Sequence, residues 1–158
     1  MSDADGVWQQ VAEACAGIQR RIVSLDGAPV KAALPYPQWD AAPVGVPVFV
    51  NLIGGGPTDF QAIGGLQVVT GTVMMYLLLQ PTSSGTSLAA NQKMVLSWPD
   101  AVWNAFAAHL QLGIPETVRD AYLRGWENEI VEYGAKKQYH ALRFELAVRL
   151  NYIVPIGM

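Results

Sequence analysis

Charge is what this chain has least of. Only 15% of its 158 residues are Asp, Glu, Lys or Arg, against about 25% in an ordinary globular domain. A surface this poor in charge is covered by Gly, Pro, Ser and Gln, by other subunits, or by both. Basic excess is absent too: the formal net charge is −3, which argues against a generic grip on nucleic acid, since that needs cations to displace counterions. A single cysteine, Cys15, rules out an intramolecular disulfide, so nothing suggests a secreted, stapled fold. The longest apolar run, Val73 to Leu79, is far too short to cross a bilayer. The first residues, Met1-Ser2-Asp3-Ala4-Asp5, are acidic and carry no apolar core of a signal peptide. The expected setting is a soluble protein made in the cytosol of the producing cell.

What is present reads as one domain over residues 1–158. Val7, Val11, Ala14, Cys15, Ile18 and Ile22 recur at helical spacing and predict a helix over about residues 5 to 23, with Ser2, Asp3 or Asp5 as its cap. Residues 28 to 46 hold Pro29, Pro35, Pro37 and Pro43, which forbid a helix or a central strand and leave an extended crossing or an edge strand. Pro47 to Ile53 predicts a short strand. The glycines 54–56 and 64–65 then frame a loop between two strands. Leu66 to Leu79 predicts a second strand, rich in β-branched residues. From Val73 both of its faces are apolar, with Val73, Met75, Leu77 and Leu79 on one and Met74, Tyr76 and Leu78 on the other. A strand apolar on both sides needs cover on both faces of its sheet. Helices can supply one cover; the other calls for a second layer or a neighbouring subunit.

Ala89 to about Leu112 predicts a helix kinked or split at Pro99, with Ser97 as the cap of the second part and Val102, Trp103, Phe106, Ala107 and Leu110 as its buried stripe. Thr117 to Tyr133 predicts a strand bulged near Gly125. Residues 139 to 154 alternate almost without a break. Leu142, Phe144, Leu146, Val148 and Leu150 belong to the face under the helices, and Arg143 to the opposite face. The fold class expected is therefore α+β: a mixed, mostly antiparallel sheet of four to five strands with two main helices packed on one face.

Motifs that carry chemistry are scarce. The glycine runs lack the Gly-Lys-Ser/Thr or GxGxxG context of a phosphate loop. His109 and His140 stand in no metal-ligand spacing, and Cys15 lies on a helix stripe, where a thiol is a small hydrophobe. Glu127 and Glu129 share one face of an extended segment and Glu132 the other, which suits a solvated strand face better than a carboxylate cleft. The tryptophans form no platform: Trp8 and Trp103 belong to helix stripes, while Trp39 and Trp126 have no evident home inside the domain and are candidate interface anchors.

The order of parts resembles the tail terminator proteins of long-tailed bacteriophages and the related head–tail joining proteins. It runs N-terminal helix, proline-rich crossing, short strand, loop, long strand, polar loop and helix. A C-terminal pair of strands follows, carrying Gly125-Trp126-Glu127-Asn128-Glu129-Ile130-Val131-Glu132-Tyr133-Gly134. The resemblance implies a structural virion protein of the tail or neck, assembled in the host cytoplasm, with no enzymatic activity and no cofactor. It implies a ring of copies of itself, typically six, that ends polymerisation of the tail tube protein and joins the tail to the head connector. DNA passes through such a ring without specific binding, and no membrane is involved. The interface residues this reading points to are Met74, Tyr76, Trp39, Trp126, Glu127 and Glu129. A different virion subunit (a head-completion or tail tube protein) and a small-molecule enzyme on an α+β scaffold are the alternatives.

Overall fold

The structure is a computed structural model and describes residues 6–38, 45–53, 59–63, 66–84, 91–134 and 137–153. Trp39, the glycines 54–56 and 64–65, the expected caps Ser2, Asp3 and Asp5, the expected helix start at Ala89 and the expected strand end at Val154 lie outside the described residues.

The elements follow in the order α1 (Val7–Gln19), β1 (Ala32–Leu34), β2 (Val48–Ile53), β3 (Asp59–Ile63), β4 (Leu66–Pro81), α2 (Gln92–Leu96), α3 (Pro99–Ala107), β5 (Val118–Glu132) and β6 (Gln138–Ile153). They form an α+β fold around one mixed, mostly antiparallel sheet. Its strand order is β1-β2-β4-β6-β5, with β3 also on β4. β2 pairs with Val73–Leu78 of β4 and β3 with Leu66–Thr70, so the two lie end to end along one side of β4 while β6 runs along the other. Among the described strands, only β1 and β2 are parallel. The proline-rich crossing thus yields the edge strand β1. The stretch between the glycine runs, expected as a loop, contains β3, which pairs antiparallel with the first residues of the next strand, Ile63 opposite Leu66 and Asp59 opposite Thr70.

Alternation decides the faces. Met75 and Leu77 of β4, Phe49 of β2, and Leu142, Phe144, Leu146, Val148 and Leu150 of β6 all turn to the same side. There they pack with Val11, Cys15 and Ile18 of α1 and with Val102 and Phe106 of α3. Both helical units therefore lie on one face.

The helix after β4 breaks at Pro99, as its sequence requires, and Trp98 rather than Ser97 takes the capping position. The buried stripe differs from the expected one. Val95, Trp98, Val102 and Phe106 are buried, while Trp103 and Leu110 are each 55% exposed and Ala107 is exposed. Residues 98, 102 and 106 follow one another at i, i+4, which carries a single face through the Pro99 junction. Trp103 stands one residue off that line.

α1 begins later than its periodicity suggests. Gly6 is its N-cap, and the Gly6 N–H donates to Oε1 of Gln9 at 3.0 Å. The second polar tie of α1 is deeper. Gln19 and Asn51 are both fully buried and bond amide to amide, Gln19 Nε2 to Asn51 Oδ1 at 2.7 Å and Asn51 Nδ2 to Gln19 Oε1 at 2.8 Å. Asn51 Nδ2 also donates to the Leu34 carbonyl at 3.1 Å. One pair of amides thereby fixes α1, β1 and β2 to each other.

Gly71 marks where α1 comes closest to β4. A Cβ at this position would lie 2.3 Å from Cη2 and 2.6 Å from Cζ2 of Trp8. Gly71→Ala should lower stability by about 1–3 kcal/mol through overpacking, measured by urea unfolding. A Trp8→Ala background should abolish that penalty, and an equal penalty with and without Trp8 would show that the ring is not its cause.

The helix-free face carries a second, smaller cluster: Val48, Val50, Leu78, Tyr133, Tyr139 and Ala141, with Ala32, Leu34 and Val131 at its margin. Tyr133 is buried and its Oη accepts the Gln38 N–H at 2.7 Å, which draws the proline-rich segment over this patch. Leu78, expected to need a second layer or a neighbour, is therefore covered within the chain. Met74 and Tyr76 are only half-buried.

Candidate assembly surface

The outer side of β5 is where the fold leaves most unfinished. This strand has 15 residues and, among the described residues, pairs with β6 alone. Two irregularities, between Val118 and Asp120 and between Leu123 and Gly125, bend it against its partner; the second falls where Gly125 was expected to bulge. Register gives the direction of each side chain beyond that point. Trp126 stands opposite Phe144 and Ile130 opposite His140, on the helix side of the sheet. Phe106 and Leu110, of α3 and the turn after it, lie beside Ala121 to Leu123. Past that contact Trp126 is 42% exposed and Ile130 62%. Large apolar side chains this open on an edge strand are a template for another chain unless something covers them.

The acidic residues turn the other way. Glu127 is opposite Arg143 and Glu129 opposite Ala141, on the helix-free face. Arg143 bridges both, to Glu127 at 3.0 Å and to Glu129 at 3.1 Å. Tyr76 of β4 lies across from Arg143 on its other side. Burial pushes the Tyr76 phenol above its ordinary range and Glu129 adds to this, while the charge and hydrogen bond of Arg143 oppose both. Met74 is opposite Glu145, which pairs with Arg124 at 3.7 Å. Further along, Arg149 grips Asp120 with two nitrogens, Nε to Oδ1 at 2.7 Å and Nη2 to Oδ2, which holds the Asp120 carboxyl below its usual range. The helix-free face is thus a lattice of ion pairs framing Met74 and Tyr76. Glu132 projects to the opposite face, across from Gln138.

The residues singled out from sequence therefore do not share one face. Met74, Tyr76, Glu127 and Glu129 stand together on the helix-free side, and Trp126 stands on the helix side of the same edge. Arg143, which ties the glutamates together, was passed over as an ordinary outer-face residue. Ile130 was missed as well, although its even spacing from Trp126 is the signal that would have found it.

The candidates for chemistry are scattered. Cys15 is fully buried in the helix–sheet core, and burial alone pushes its thiol up to about 12. His109 is exposed after α3 and His140 is half-buried on β6. A cleft of about 1070 Å³ between α1 and the turn after α3 is bordered by Glu13, Arg21, His109, Arg119 and Asp120. All but Asp120, which Arg149 holds, are exposed, in contrast to the few desolvated, convergent polar groups of a small-molecule site. Among the described residues no group of three or more His, Cys, Asp or Glu is placed to hold a metal, and no helix is long and apolar enough to cross a membrane. In comparison with known proteins, no family model and no curated protein matches this chain.

Proposed function

We propose that this protein is a structural subunit of a bacteriophage neck. Copies close into a ring, typically six, at the head-proximal end of the tail; the ring ends tail tube polymerisation and meets the head connector on its other side. The observation that carries this reading is the β5 edge: a long strand with no partner on its outer side among the described residues, on which Trp126 and Ile130 stand open. The low charge of the chain supports it, because a subunit enclosed by neighbours needs less charge on its surface. The net charge of −3 suits a conduit that lets DNA pass, since each phosphate neutralised by Lys or Arg adds affinity and so drag. Arg143 neutralises part of the Glu127–Glu129 pair, so any repulsion of DNA comes from the chain's net charge more than from those two residues.

Removing the protein from an infection tests the role. Tails of unregulated length, and heads without tails, are the expected result. Tails of normal length joined to heads would contradict the reading. His109→Ala, His140→Ala and Cys15→Ala, if folded and assembled, should restore particles as the unaltered protein does.

A further inference from the structure

We propose that the ring interface joins the two opposite edges of the sheet, so that the acidic β5 edge of one copy receives the basic β1 edge of a second copy of this chain. This rests on the ring reading above and specifies its contact. β1 and β5 are the two ends of the strand order, so a contact between them is head-to-tail, and such a contact can close into a ring when the rotation allows.

Charge distinguishes the two edges. The only bases before Gln80 are Arg20, Arg21 and Lys31, all between the end of α1 and the start of β1. Arg20 reaches β1 itself, donating from Nη2 to the Ala33 carbonyl at 3.0 Å. Among the described residues no carboxylate pairs with these three cations, although Asp26 lies between Arg21 and Lys31 in sequence and Glu13 accepts from the Tyr36 hydroxyl at 3.4 Å. The far half of β5 is the reverse: after Gly125 it carries Glu127, Glu129 and Glu132 and no Lys or Arg, and Arg143 of β6 pairs with the first two. Lys137 follows, its backbone bonded to Tyr133 and Gly134. Each edge also offers apolar surface, Tyr36 (40% exposed) just after β1, and Trp126 and Ile130 on β5.

The same charges disfavour the competing arrangement. Pairing of two β5 edges about Asn128 would set Glu127 against the partner subunit's Glu129, and like charges directly opposite are destabilising. Such a two-fold contact would also stop at a dimer.

Charge exchange tests the contact. One variant carries Glu127→Lys and Glu132→Lys; the other carries Arg20→Glu and Lys31→Glu. Light scattering over a concentration series should show each variant alone assembling at a concentration at least roughly tenfold higher than the wild type. An equimolar mixture should regain the wild-type mass, because every interface in an alternating ring then pairs opposite charges. If Arg20→Glu loosens the end of α1 in urea unfolding, Lys31→Glu alone replaces it. Variants that are folded yet assemble as the wild type does, or a mixture that stays dissociated, would overturn the edge-to-edge contact while leaving the ring intact. A wild type that does not assemble would overturn the ring reading itself.

Discussion

Phe144→Ala should cost about 3–5 kcal/mol in urea unfolding, and Arg143→Ala, its neighbour in sequence, less than about 1 kcal/mol. The two residues sit one step apart on β6, so alternation sends them to opposite faces. Phe144 is 1% exposed in the core between sheet and helices, its ring 6.4 Å from that of Phe49. Truncation there removes a large buried surface and leaves a cavity that the surrounding strands cannot collapse to fill. Arg143 makes two ion pairs, but the side chain of Glu127 is 65% exposed, so solvent screens much of the attraction. The reverse ranking would mean that the faces of β6 are assigned backwards.

Asn51→Leu should cost about 2–4 kcal/mol, although it swaps a polar side chain for an apolar one of similar size in a buried place. The loss comes from what stays behind. Both ends of the Gln19 amide would lose their partner at a fully buried position, and the Leu34 carbonyl would lose its bond from Asn51. Each buried polar group left unmatched costs about 1–3 kcal/mol. Gln19→Leu combined with Asn51→Leu should recover part of the loss, because neither amide is then stranded. A double variant as unstable as the sum of the two single ones would show that the amides do not act as a pair.

These two cases mark what was legible in the sequence. The core face of β6 could be read directly, because a period of two over Gln138–Ile153 leaves one choice for every side chain. The phase of α3 could not. Trp98 and Trp103 are both aromatic and both near Pro99, and only the position of the break decides which is buried. β3 escaped notice because it is short and the glycines around it look like loop punctuation, although its partner is the very next strand. The Gln19–Asn51 tie joins residues 32 apart in sequence, and no local pattern announces it. The candidate surface was half legible. Trp126 stood out as a large apolar residue without a stripe to belong to. The link between Glu127, Glu129 and Arg143 depends on the register of β5 on β6, which the bulge at Leu123 and Gly125 shifts.

The central claim is that this protein works by assembling with copies of itself. An absolute mass by light scattering across a concentration series, at about physiological salt, tests it most directly. The expected result is a single species at a whole multiple of 17.1 kDa, most simply six, that persists on dilution and appears as a ring in negative stain. A clean 17.1 kDa monomer at high concentration would contradict it.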